Sequence, residues 1–192
     1  MVTCWFDVGS PYAYLALARF DDVLPGVDLV AEPVLLGAVF AARGRASWAT
    51  TSRRALGMQE VEQRAAAYGL PPVVWPDPWP NDGLRAMRAA VFATREGRGL
   101  AFARAAMRLA FAEGRSLSTP AAIVDAADAC GLDPDATLAA TRDPQVKDDL
   151  RARTERALAL GVVGVPTFRV DGVNAWGDDQ LELVAARVGA AS

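Results

Sequence analysis

The 192-residue sequence contains no histidine. That absence excludes Ser-His-Asp and Cys-His nucleophile systems, and His-Glu-x-x-His zinc chemistry with them. Cysteine is almost as scarce. Cys4 and Cys130 are the only two, so there is no Cys-x-x-Cys redox pair and no four-cysteine zinc site. No metal site is expected, and any nucleophile is unusual or brought in by a cofactor. An excess of basic residues is also lacking: the net charge is -3, which argues against nucleic acid as a partner. No apolar run approaches the roughly 18 residues of a membrane-spanning helix. The opening Met1-Val2-Thr3-Cys4-Trp5-Phe6-Asp7 has no basic leader, so no signal peptide is expected. Two unpaired cysteines fit a reducing cytoplasm. What is present is a globular composition. With 52% hydrophobic and 22% charged residues, a buried core is possible and disorder is excluded.

Val2, Cys4, Phe6 and Val8 alternate with Thr3, Trp5 and Asp7, which predicts a strand covered on both faces. Gly9 ends it. Ser10-Pro11 then opens a helix, with serine at the N-cap and proline at the first helical position. Pro25-Gly26 marks a turn, and 27–34 reads as a second strand. Strand, helix, strand makes a right-handed parallel unit. From about Leu36 to Ala159 the chain is rich in Ala, Arg and Leu at helical spacing. Helices are expected over 52–68, 84–95, 100–113, 120–129, 134–140 and 144–160. Thr119-Pro120, Asp133-Pro134 and Asp143-Pro144 repeat the cap-then-proline start, and Gly131 and Gly161 are stops. Between the first two helices, five prolines in the ten positions 71–80 forbid a helix or an inner strand and predict a stiff connector. The end returns to strand chemistry. Pro166 to Val170 is a strand, Asp171-Gly172 a hairpin turn, Val173 to Trp176 the returning strand and 178–188 a closing helix. The expected fold class is α/β, a βαβ…ββα core interrupted by an all-helical insertion.

Four places carry candidate chemistry. Ser10 lies where a strand hands over to a helix, at the sheet edge where open α/β sheets bind ligands. The helix start offers free N–H groups and partial positive charge, which stabilise an anion, a thiolate included. As a plain cap the same serine needs no ligand. Val165-Pro166 precedes a strand, where a cis X-Pro bond leaves the neighbouring N–H and C=O facing outward. Asp178-Asp179 reads as cap and first turn of the last helix, or as a site for an ammonium group. Trp48, Trp75 and Trp79 are packing anchors or ligand walls, and Asn81 is a helix cap or a ligand contact. Cys4 and Cys130 read as inert thiols.

Phe6-Asp7-Val8-Gly9-Ser10-Pro11-Tyr12-Ala13-Tyr14-Leu15-Ala16 resembles the N-terminal signature shared by 2-hydroxychromene-2-carboxylate isomerases and kappa-class glutathione transferases. Pro33 to Phe40 resembles that family's second-strand exit. Trp79-Pro80-Asn81 through Arg88 resembles its approach to the central helices. Gly164-Val165-Pro166-Thr167-Phe168 and Trp176-Gly177-Asp178-Asp179 are similar to its C-terminal signature. The resemblance runs in order over nearly the whole chain. It implies a thioredoxin-like core of residues 1–37 and 160–192 carrying an all-helical DsbA-like insertion of residues 38–159, in a homodimer.

The resemblance further implies that Ser10 replaces the first redox cysteine and that Pro166 is cis. Glutathione, or another low-molecular-weight thiol, would lie across the site. Its thiolate would meet Ser10 and its cysteine backbone would pair with Val165. Its γ-glutamyl ammonium would meet Asp179 beside Asp178, and Arg53 stands near the family's lysine. Tyr12, Arg45, Trp79 and Asn81 would face a small conjugated aromatic carboxylate as substrate. Arg45 falls where the family has asparagine, and Gln180 where it has arginine. The implied activity is a thiol-dependent isomerisation or transfer. An electropositive helix start lowers a thiol pKa from about 8.5 to roughly 3.5–7.5. The thiolate adds to an electron-poor double bond, the bond rotates and the thiol leaves; a persistent adduct makes the same site a transferase. Two alternatives stand beside it. One is a thiol–disulfide oxidoreductase, against which the missing Cys-x-x-Cys argues. The other is a DsbA-like binding module without redox activity.

Overall fold

The alternating N-terminal residues form strand β1 (Val2–Phe6), with Val2, Cys4 and Phe6 fully buried. The computed structural model describes residues 1–190. Ser10 holds the N-cap in extended backbone and Pro11 follows, so helix α1 (Pro11–Val23) begins where the sequence places it. Strand β2 (Leu29–Pro33) runs parallel to β1, with Val2 opposite Leu29 and Phe6 opposite Pro33. It starts later than expected. Val27 donates its N–H to Leu24 and still belongs to the turn built on Gly26 at φ 73°.

Helix α2 (Leu36–Ala42) was not expected as a separate element. Its N-cap is Leu35, which has no capping side chain. The missing cap comes from far away in sequence: the Asp7 carboxylate accepts the Leu36 N–H at 2.9 Å. A 3-10 turn (Trp48–Thr50) and helix α3 (Arg54–Ala67) follow. The proline connector forms neither helix nor strand and is tied down where Val74 donates to the Phe111 carbonyl at 2.8 Å. Helices α4 (Leu84–Arg95), α5 (Gly99–Phe111), α6 (Pro120–Ala129), α7 (Pro134–Ala140) and α8 (Pro144–Ala159) make the helical block. Asn81 does not cap α4. The N-cap is Gly83, and the Asp82 carboxylate accepts the Leu84 N–H instead.

Strands β3 (Thr167–Val170) and β4 (Val173–Trp176) form the expected hairpin, with Asp171 at φ 49° and Gly172 at φ 80° in its turn. The sheet order is β2-β1-β3-β4, with β3 antiparallel to both neighbours. Asp178 is not the cap of the last helix. Asp178–Gln180 form a 3-10 turn, and helix α9 (Leu181–Ala190) starts only after it. β1 is buried on both faces because it is a central strand. One face joins the main core, where Phe20 and Phe168 stack at 6.2 Å; Trp5 on the other meets Val34, Ala157, Val162 and Val165. Each such large side chain contributes about 1.5–3 kcal/mol by leaving water.

Candidate functional site

The carboxyl end of β1, the start of α1 and the segment entering β3 enclose a cleft of about 780 Å³. Ser10 is 2% exposed yet lines it. The Ser10 Oγ accepts the Ala13 N–H at 3.3 Å, and the Ser10 N–H donates to the Asp7 carbonyl at 3.0 Å. The hydroxyl hydrogen has no acceptor among the described residues. Pro11 has no N–H and Ala13's is taken by Oγ, which leaves Tyr12 as the first-turn amide free for an anion. Both donors sit at the positive end of α1.

The Val165-Pro166 bond is cis. Val165 lines the cleft and is 5% exposed, and its backbone N–H and C=O make no hydrogen bond among the described residues. Pairing with an extended ligand backbone satisfies such groups. Pro166 itself is not among the residues that line the cleft. It is buried, and its carbonyl accepts the Gly177 N–H at 3.0 Å, which ties the entry of β3 to the exit of β4. Gly177, at φ 124°, makes the turn that directs Asp178 inward.

Asp178 is 1% exposed and its carboxylate is already engaged. Arg64 donates to Oδ1 and the Tyr68 hydroxyl to Oδ2, each at 2.9 Å. It therefore anchors the cleft floor instead of offering a free carboxylate. Asp179 is exposed, with Arg64 at 3.8 Å, and remains open to a cation. Arg64 also pairs with Glu60 at 2.8 Å. Burial opposes its charge, but the Asp178 and Glu60 carboxylates outweigh that and hold its pKa above the ordinary value. Tyr68 is raised by desolvation and then by its bond to Asp178. Tyr12, raised to about 12 by desolvation and by Glu60, stays protonated and keeps a donor on the cleft wall.

Trp79 is both anchor and wall. It is 6% exposed, lies 4.5 Å from Trp75 and 5.4 Å from Trp48 between ring centroids, and lines the cleft. Arg54 holds its carbonyl at 2.6 Å. Trp48 packs edge-on to Tyr12 at 6.2 Å. Asn81 sits at the rim, donating Nδ2 to the Pro78 carbonyl at 3.4 Å. Arg45 and Arg53 are exposed on the rim as well.

The site also contains residues that the sequence did not single out. Asp7 lines the cleft and bonds both the Gly9 and Leu36 N–H groups at 2.9 Å, joining its two walls. Desolvation raises its pKa, and those two amides oppose the rise. Met87 lines the cleft and its Sδ accepts the Val8 N–H at 3.2 Å. Arg64 was detectable only as the i+4 partner of Glu60, since Asp178 is 114 positions away.

Neither cysteine reaches the cleft. Cys4 is fully buried, and desolvation pushes its pKa far up; Cys130 is raised for the same reason. Among the described residues no His, Cys, Asp and Glu group could hold a metal ion. No helix among them is long and apolar enough to cross a membrane.

A parallel-then-antiparallel four-stranded sheet, a cleft at the start of its first helix and a cis-proline leading into its third strand define a thioredoxin-type domain. Residues 1–189 match the DSBA-like thioredoxin domain family, and the chain belongs to it. Solved structures agree on the fold. A 2-hydroxychromene-2-carboxylate isomerase superposes with TM-score 0.85 at 22% identity, covering 99% of this chain and 95% of that one. A probable DsbA oxidoreductase from Streptomyces coelicolor gives 0.74 at 24%, covering 100% and 90%. The cytosolic disulfide reductase DsbM from Pseudomonas aeruginosa gives 0.65 at 17%, covering 100% and 99%. No curated protein matches.

Proposed function

We propose that the protein is a thiol-dependent isomerase or transferase acting on a small conjugated aromatic carboxylate. Glutathione or another low-molecular-weight thiol is its co-substrate. One observation carries the reading: an unpartnered hydroxyl hydrogen on Ser10 and an unpartnered backbone on Val165 line the same cleft, which holds no thiol of its own. These groups fit a cysteinyl peptide, its sulfur at Ser10 and its backbone at Val165. The bound thiol supplies the nucleophile that adds to an electron-poor double bond and, after rotation, leaves. Ser10 and the Tyr12 amide hold the sulfur as an anion. Asp179 takes an ammonium group, with Arg53 near it on the rim. Trp79 and Trp48 exclude water from an aromatic ring, Arg45 faces the ligands from the rim, and Asn81 closes the edge. The reading includes a homodimer in a reducing, cytoplasmic setting, in line with two unpaired cysteines.

Calorimetry with glutathione, cysteinylglycine and cysteine tests this, together with the ultraviolet absorbance of bound thiolate. A hydrogen bond to a charged group contributes about 1.5–3 kcal/mol. Ser10→Ala is therefore expected to raise the bound thiol's pKa by roughly 1–2 units without loss of fold. Absence of binding for all three thiols at millimolar concentration sinks the reading.

A second reading keeps the cleft and drops the chemistry: a thiol-binding module. Arg45 and Gln180, which depart from the resembled pattern, favour it. Conjugated dienes, epoxides and chloronitrobenzenes offered with the thiol separate the two by turnover.

A further inference from the structure

Arg45 is the guanidinium of the cleft that lies against two rings and no carboxylate. Of the other two guanidinium groups that line the cleft, Arg64 is engaged by Glu60 and Asp178, and Arg53 makes no side-chain hydrogen bond or ion pair among the described residues but has no ring against it either. The Arg45 guanidinium is exposed and makes no ion pair or hydrogen bond among the described residues. Rings hold it instead: its central carbon lies 5.1 Å from the Trp176 centroid and 5.7 Å from that of Phe40. A ring face attracts a cation without neutralising it and leaves its N–H groups free. Trp176 in turn needs glycine at position 164. A Cβ there would stand 2.5 Å from the indole Nε1 and 2.8 Å from Cε2. Gly164 has no left-handed φ, so it is the ring that refuses a side chain, not the backbone. The residue after it, Val165, presents the free backbone of the cleft.

We propose that the Gly164–Trp176 shelf is a positioning device that holds Arg45 as the carboxylate receptor of the cleft, and so sets its preference for anionic over neutral ligands. This rests on the thiol-site reading above. The carboxylate belongs either to the C-terminal end of the thiol peptide or to the aromatic acceptor.

Two ligand pairs distinguish these sources: glutathione against its C-terminal amide, and 1-naphthoate against 1-naphthamide. Each is titrated calorimetrically into the wild-type chain, Arg45→Gln, Trp176→Leu and Gly164→Ala. In the wild type the acid of one pair binds about tenfold tighter than its amide or better, and that pair names the source. The preference falls below about threefold in all three variants, while amide affinity holds within about twofold. Trp176→Leu replaces a side chain that is 44% exposed, and it serves where Gly164→Ala fails to fold. The shelf is overturned if neither pair shows a preference, or if any folded variant retains it. A bound-thiolate band without acid preference removes the shelf alone. Acid preference without that band removes the thiol reading alone.

Discussion

Asp7 shows how one side chain can set a site without touching its chemistry. Its two oxygens accept amides from Gly9 and Leu36, so a single carboxylate fixes both the loop that ends in Ser10 and the start of α2. Burial raises its pKa. A group raised in the folded state lends stability that is complete below its unfolded pKa, about 3.9 for aspartate, and is lost as pH rises through the folded value. Denaturant titrations of the wild type and Asp7→Asn across the acid range should show this. The stability difference, wild type minus variant, is expected to fall as pH climbs above about 4. A difference that grows with pH would contradict the sign. The aspartate is plain in the sequence, but its second amide partner lies 29 positions away and no local pattern announces it. The same holds for Asp178, whose neighbourhood reads as a helix cap. Its partners, Arg64 on α3 and Tyr68 at the end of that helix, turn it into a buried anchor.

At the scale of elements, local chemistry decided most boundaries. Ser10-Pro11, Thr119-Pro120, Asp133-Pro134 and Asp143-Pro144 all became capped helix starts. The Asp171-Gly172 hairpin and the proline connector were equally legible, because turn residues and missing N–H groups act where they stand. Helix α2 and the turn at Trp48–Thr50 were not, since what secures them lies elsewhere in the chain. Trp48 is secured by α3. Its ring occupies the space that a Cβ on Gly57 would need. Gly57→Ala forces that ring outward. The variant is expected to lose about 1–3 kcal/mol of stability, the usual cost of overpacking, and to bind aromatic ligands more weakly. Urea denaturation and naphthoate titration check the two effects. An unchanged midpoint would show that the ring has room to move.

For the whole molecule, the DSBA-like family supplies the frame, and the particular chain decides what the frame holds. Fold class and family resemblance were readable because the signature segments sit at strand ends and helix starts, in order along the chain. The ion network joining α3 to the turn before α9 was not readable, because only the fold brings those elements together.

One feature of the frame reaches beyond binding. A catalyst that handles electrophiles normally exposes itself to them, and a surface thiol is the first casualty. Here both sulfhydryls are shut away, Cys4 completely and Cys130 at 8% exposure. Iodoacetamide is expected to leave the native protein's mass and its thiol affinity unchanged, and to label it only after unfolding; rapid labelling of native Cys130 with loss of affinity would refute this. Under the proposed chemistry, a runaway alkylation consumes the visiting thiol, which departs and is replaced. The polypeptide outlives its own mistakes because the vulnerable atom was never part of it.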